Sequence, residues 1–443
     1  MTLLMILLRH SMRRLNYFLK MIKWLLLMYL GIARQGVADI HSRNLTNSLE
    51  VIYEWKYFDY DFGSDEKRQA AIQSGDYNYT MNYLFDTDQW GDKTFVIIMK
   101  FNGVPSSLNV ITNKTSNGGP LLAPYPDWTW AENENCTGIM SVYKIEIDIC
   151  DRLWVLDSGL INNFQPVCPP KLLAFDLNSS QLLKQVKIPH DIAVNTTTGK
   201  GGLVTLSVQP LSCEVNGSTL VYIGDDRGFG LIIYNNSDNS FQRLTSNTFA
   251  SDPRYTTLTI NGESFTLQDG IFGMALSSLT QNLYYSALTS HRLNYVNTEQ
   301  FIKSQYQANN VRYQGKENIL WTQASAKGIS NNGVLFFGLV GDTSLACWNE
   351  KRLLDRENIE VVAKNKETLQ AIIGLKVKTK LPIIPIVIHG FPVVYEYVLA
   401  ASNRMQKLFH GFDFNEVNFR ILTANVDDLI KNTRCTPSSI NPF

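Results

Sequence analysis

Short strand pairs recur along this chain at intervals of roughly 40 to 75 residues. The clearest is SVYKIEIDICDRLWVLD (141–157), which alternates apolar and polar, turns at Cys150–Asp151 and alternates again. KLLAFDLNSSQLLKQVKIP (171–189) follows, with a turn at Asn178–Ser179. The layout returns in LVTLSVQPLSC (203–213), TLVYIGDDRG (219–228) and GLIIYNNSDNSFQRL (230–244). It returns again in IFGMALSSLTQNLYYSALTS (271–290) with HRLNYVNTEQF (291–301), and in AKGISNNGVLFFGLVGD (326–342) with SLACWNE (344–350). Weaker copies stand at each end, at 93–111 and at 395–409 with 417–425.

Six units of up to four strands predict an all-β chain, a six-bladed β-propeller with a few peripheral helices. A pair of stacked β-sandwiches is the competing reading. Closure falls to an N-terminal strand, EVIYEWKYFDY (50–60), pairing near the last unit. Two stretches read as helices outside the blades, KETLQAIIGLKV (366–377) and NVDDLIKN (425–432). The composition agrees: 38 Asn, 20 Tyr and 22 Phe favour turns and strands over long helices.

Residues 1–38 read as an N-terminal extension plus a secretory signal peptide, and 39–443 as one propeller domain. Lys23 precedes an apolar run from Trp24 to Ile32, and Gly36 and Ala38 follow at the spacing of a cleavage site. The run is too short to anchor the chain. The first 20 residues are either an extended n-region or lie upstream of a start at Met21, the second being favoured. Six of the forty basic residues (Arg9, Arg13, Arg14, Lys20, Lys23 and Arg34) fall in this segment, with no acid among them. What remains holds thirty-four basic and forty acidic residues, a net charge of −6. Such a balance gives no reason to bind nucleic acid. No run of about 18 uncharged apolar residues marks a membrane span.

Export suits the six cysteines, all of which lie beyond residue 38. Strands in a blade run alternately up and down. Cys136 precedes the second strand of its unit and Cys168 the fourth, so both lie at one end. Cys150 lies in the hairpin at the other end. A Cys136–Cys150 bond would have to span a strand of about eight residues, roughly 25 Å, whereas a disulfide needs Cα atoms within about 7 Å. Cys213 holds the hairpin position of the next unit. The expected bonds are Cys136–Cys168, Cys150–Cys213 and Cys347–Cys435, the last tying the C-terminal tail to a blade. Eight N-x-[ST] sequons, at Asn44, Asn78, Asn113, Asn135, Asn178, Asn195, Asn216 and Asn235, are glycosylation candidates in an exported chain.

Catalytic signatures are missing. There is no G-x-S-x-G elbow and no H-E-x-x-H. TTGKGGL (197–203) lacks the spacing of a phosphate loop and reads as a solvated hairpin. The five histidines after export are scattered, so no catalytic residue, cofactor or metal site is expected. Acids recur at strand ends: Asp148, Asp157, Asp225, Asp226 and Asp342. At a channel mouth they could hold calcium or a cationic ligand. Asp also ends strands because it makes turns, and that plainer reading is favoured. The aromatics Trp154, Tyr284, Tyr285, Phe336, Phe337 and Trp348 suit blade-to-blade core, with an aromatic pocket for an amine or flat lipid as the alternative. The apolar stretch at 381–397, with Pro382, Pro385 and Pro392, is a sticky loop if exposed or a core connection if covered, the second being favoured.

Several of these segments resemble the major royal jelly protein and yellow family, the bee royal jelly branch in particular. They are EWKYFDYDFGSDEKRQAAIQSG (54–75), NGVPSSLNVI (102–111), GGPLLAPYPDW (118–128), YKIEIDICDRLWVLDSGL (143–160), KLLAFDLNSSQLLKQVKIPHD (171–191), QDGIFGMALS (268–277), NLYYSAL (282–288), GVLFFGLVGD (333–342) and CWNE (347–350). The resemblance implies a secreted, extracellular glycoprotein of nutritive or storage type without a catalytic residue set. It also implies a propeller that binds a sterol or a biogenic amine, with a small peptide partner and a homo-oligomer as further associations. On this resemblance Phe337, Trp348 and Asn349 are the expected ligand-pocket residues. The alternative it carries is a yellow-type enzyme of dopachrome conversion and pigmentation. The chain departs from the family pattern in its first 20 residues, in lacking a polar repeat tail, and in the apolar loop at 381–394.

Overall fold

The computed structural model describes residues 49–131, 136–162, 164–302, 310–380, 387–388, 391–392 and 394–437. The leader segment 1–38, the sequons Asn44 and Asn135, and most of the apolar loop 381–394 lie outside the described residues.

Six four-stranded antiparallel sheets form the blades. Blade 1 consists of Leu84–Trp90, Lys93–Ile98, Leu108–Ser116 and Gly119–Pro124, and blade 2 of Val142–Ile147, Arg152–Asp157, Lys171–Asp176 and Leu182–Lys187. Blade 3 is Leu203–Pro210, Thr219–Asp225, Gly230–Asn235 and Ser240–Thr245; blade 4 is Ile271–Leu276, Asn282–Ala287, Leu293–Asn297 and Tyr313–Lys316. Blade 5 is Ala324–Ile329, Val334–Leu339, Ser344–Asn349 and Glu360–Lys364. Blade 6 takes Ala371–Lys380, Tyr395–Asn403 and Phe419–Asn425 from the C-terminal end and Glu50–Trp55 from the N-terminal end.

The first strand of each blade in this order lies innermost. Each innermost strand packs on those of its two neighbours, and that of blade 6 packs on that of blade 1, which completes a ring. Glu50–Trp55 pairs antiparallel with Phe419–Asn425, from Glu50 opposite Thr423 to Trp55 opposite Phe419. The expected closure by an N-terminal strand is therefore present. It supplies the outer strand of blade 6 and joins the two ends of the domain.

Inner strands approach closely because small residues sit where they meet. A Cβ on Gly273 would lie 2.3 Å from the Ser325 carbonyl oxygen of the next blade. Between blades, apolar side chains interdigitate. Trp154, Leu156, Val221 and Ile223 form one such layer between blades 2 and 3, and Tyr284, Phe337, Ala346 and Trp348 form another between blades 4 and 5. Each fully buried large side chain of this kind contributes about 1.5–3 kcal/mol.

The expected helix at 425–432 is present as Val426–Ile430, capped by the Asn425 side chain. The one expected at 366–377 is not. Ala371–Lys380 is the innermost strand of blade 6. Its first half is buried on both faces, so its apolar residues run on without the alternation that marks a half-exposed strand.

All three expected disulfides are present: Cys136–Cys168, Cys150–Cys213 and Cys347–Cys435. The strand count behind the first was one too high. Cys136 precedes the first strand of blade 2 and Cys168 the third. The error leaves parity unchanged, so both cysteines still lie at one end of the blade.

Candidate functional site

Side chains from the innermost strands of blades 1, 2 and 6 meet in an ion network, a plug of buried charge between these blades. Asp86 lies 3.5 Å from Lys144 Nζ through Oδ1 and 3.4 Å from Lys376 Nζ through Oδ2, and Lys378 pairs with Asp88 at 2.8 Å. The Lys144 amine also donates to the Ile373 carbonyl. Burial pulls Lys144 down to about 8, against the pull of Asp86, and pushes Glu146 up to about 7. Lys327, buried with its amine donating to Ser286 Oγ, is drawn down to about 7 by desolvation alone. Lys144 and Lys376 link blades 1, 2 and 6, and Lys327 links blade 5 to blade 4.

Above this plug, where the inner strands begin, lies a cavity of about 740 Å³. Its wall comes from strand starts: Phe85 of blade 1, Tyr143 of blade 2, Val204 of blade 3 and Phe272 of blade 4. The connection between the second and third strands of blade 6 supplies Met405, Phe409 and Phe412. Phe164 lies parallel to Tyr143, with ring centroids 6.1 Å apart. Tyr143 meets Phe85 edge-on at 5.0 Å.

Two carboxyl groups face this apolar space, Asp226 and Asp269. Asp226 starts the turn between the second and third strands of blade 3, and Asp269 immediately precedes the innermost strand of blade 4. The Gly270 amide donates to the Asp226 carbonyl oxygen at 2.6 Å, which holds the two segments together. Asp226 Oδ1 is buried with no hydrogen-bond partner. Burial, then the charge of Asp269, then that of Asp225 push the Asp226 carboxyl well above the usual carboxylate range, against the opposing charge of Arg227. Burial pushes Asp269 up to about 6, again opposed by Arg227. The Arg227 guanidinium sits 4.6 Å from the Phe164 ring centroid, at the edge of the cavity.

Only Asp226 among the five singled-out strand-end acids borders this cavity. Asp148 pairs with Arg152 at 2.8 Å and accepts from the Trp154 indole at 2.9 Å. Asp157 pairs with Lys171, Asp225 with Arg243 and Asp342 with Lys364. For these four the plainer reading holds: they fasten turns and strands.

Phe337, Trp348 and Asn349 do not border the cavity either. Phe337 and Trp348 are buried in the layer between blades 4 and 5, with Trp348 edge-on to Tyr284 at 5.6 Å. Asn349 donates to the Cys435 carbonyl at 3.0 Å and so fastens the tail. All three lie on the second and third strands of blade 5, away from the axis. The residues that do line the cavity, Tyr143, Phe164, Asp269 and Phe272, were not singled out. The available signal was an aromatic second residue in the innermost strands of blades 1, 2 and 4: Phe85, Tyr143 and Phe272.

The segment 197–203 is a turn, as expected. Asn195 Oδ1 accepts from the amides of Thr197 and Thr198, and a strand rather than a helix follows. Among the described residues no cluster of three or more His, Cys, Asp or Glu could hold a metal ion, and no helix is long and apolar enough to cross a membrane.

Residues 140–435 match the family model described as major royal jelly protein. The chain belongs to the major royal jelly protein family. It is 86% identical to major royal jelly protein 8 of Apis mellifera over 94% of this chain and 99% of that one. It is 60% identical to major royal jelly protein 7 of the same bee over 95% of each chain. Among solved structures, a luciferin-regenerating enzyme is 12% identical with a TM-score of 0.42, covering 84% of this chain and 95% of that chain. At that level the likeness carries no functional implication. In this royal jelly family member the acid pair sits inside the matched region.

Proposed function

We propose that the chain is an exported, non-catalytic royal jelly-type glycoprotein, nutritive or extracellular in role, whose channel-mouth cavity holds an aromatic amine. The observation that carries this reading is the Asp226–Asp269 pair set in a mainly apolar, aromatic cavity, with Asp226 Oδ1 unpartnered. A buried carboxylate is costly unless a cation meets it. An ammonium group would meet that need, and the faces of Tyr143 and Phe164 suit both the cation and a ring attached to it. A sterol would fill the apolar volume but leave both acids without a partner. The amine is therefore favoured over the sterol.

Calorimetry with serotonin, dopamine and a sterol tests the reading. Micromolar binding of an amine, with no heat from the sterol, is the expected result. Binding of none of the three removes it.

The yellow-type enzyme remains the second reading, because carboxyl groups with raised pKa in a cavity also suit acid–base chemistry. Dopachrome turnover abolished by Asp226→Asn would favour it. Native mass spectrometry of protein from its source would report the mature N-terminus, any peptide partner and the assembly state.

A further inference from the structure

We propose that ligand binding at the channel mouth is exchanged against a proton: the Asp226–Asp269 pair holds either a proton or the ligand's ammonium group, so that acidification releases the ligand. This rests on the amine reading above and adds its regulation.

The argument starts from the two acids' surroundings. Both open into the same apolar space, and the Gly270–Asp226 backbone bond keeps their segments adjacent. Two neighbouring carboxylates out of water cannot both ionise cheaply without a cation. The nearby cations are otherwise engaged. Arg227 lies against the Phe164 ring. Arg243 is paired with Asp225 at 2.6 Å, and its Nη2 also donates to the Gly228 carbonyl. Lys407, on the blade 6 connection over the cavity, is paired with Glu263 at 2.7 Å. Lys144, below Phe85 and Phe272, is held by Asp86 and backbone carbonyls. Tyr143, the titratable group on the blade 2 side, is a phenol whose ionisation is opposed first by burial and then by Asp226. No group in this set donates a hydrogen bond to Asp226 Oδ1, and Arg227 offsets only part of the cost of two buried charges, so the empty pair keeps a proton.

Burial and the neighbouring acids raise Asp226 well above the usual carboxylate range, so the shared proton rests on it, while Asp269 is pushed up to about 6. An incoming ammonium takes the place of that proton at the carboxyl pair, and the proton leaves to solvent. One positive charge enters and one departs. Below about pH 6 Asp269 also takes up a proton, and the site loses the charge that would hold a cation.

Isothermal titration of the full chain with serotonin in phosphate and in Tris, across pH 5.5 to 8.5, reads the exchange directly. The expected result is release of about one proton at pH 7 and a Kd that rises about tenfold per pH unit on acidification. Binding with no proton release and a flat Kd would overturn the exchange while leaving the amine reading intact. No heat with serotonin or dopamine even at pH 8.5 would sink the amine reading and the exchange with it. Asp226→Asn should abolish the proton release, with a melting curve to report folding. Retained release in this variant would overturn the assignment. Should Asp226→Asn not fold, Asp269→Asn serves in the same assay: a Kd still as pH-dependent below pH 6 as in the wild type would overturn the role of Asp269.

Discussion

Lys171 Nζ lies 2.9 Å from Asp157 Oδ2 with both side chains buried, and the same amine donates to the Cys136 carbonyl at 3.1 Å. Asp157 also accepts from the amides of Met140, Ser141 and Gly159. One ion pair thus ties the second and third strands of blade 2 to the segment held by the Cys136–Cys168 bond. Lys171→Met would leave a buried carboxylate without its cation. We expect a loss of about 3–5 kcal/mol in denaturant unfolding. Adding Asp157→Asn should recover part of it, because the uncompensated charge is then gone.

The acid pair at the channel mouth gives stability an unusual pH slope. Asp269 titrates near 3.8 when unfolded and near 6 in the fold. A group with a raised folded pKa binds more protons when folded, so its contribution is full below about 3.8 and is lost as pH rises through about 6. Asp269→Asn should therefore stabilise the protein at pH 7.5 relative to its effect at pH 4. The difference should reach about 3 kcal/mol at most. Thermal melts of both proteins at both pH values check the sign.

Cys347 joins an inner layer of blade 5 to Cys435, 88 residues on, beyond the last helix. Replacing both by Ser should cost about 2–4 kcal/mol. Proteolysis should then begin in the tail after Ile430, which mass spectrometry of the first cleavage products would reveal.

Asn78, Asn113, Asn178 and Asn216 are exposed. Asn195 is half-buried, and its side-chain amide donates to the Gly228 carbonyl at 3.1 Å. Glycan at Asn195 would place a sugar against the turn that this bond holds. Peptide mapping of protein from its source should find glycan among the four exposed sites and none at Asn195.

Gly202 packs directly on Asp226. A Cβ there would lie 2.3 Å from Asp226 Oδ1 and 2.5 Å from Arg227 Cγ. Gly202→Ala should displace the carboxyl and weaken serotonin binding by about tenfold, or about 1.4 kcal/mol. Unchanged affinity would mean that Asp226 does not contact the ligand.

The ring of modules was legible because alternation with a period of two and regularly spaced turns survive in the sequence wherever one face of a strand is less buried. The disulfides were legible because end-to-end parity along a blade survives an error of one strand in the count. The innermost strand of blade 6 was not: buried on both faces, Ala371–Lys380 lost the alternation and read as a helix. The cavity was misplaced for a related reason. The family resemblance put Phe337 and Trp348 in a pocket, yet the radial position of their strands buries them between blades, as their aromatic pattern alone suggested.

The sequence by itself determined the strand modules, the pairing of the cysteines, closure by the N-terminal strand and the family resemblance, because each is written in local periodicity or in collinear segments. Only the tertiary structure decided which of several strand-end acids meets an aromatic cavity. Asp226 and Asp269 come from different blades, and their burial, mutual repulsion and lack of a dedicated cation arise only when the ring closes and excludes water from the space between them.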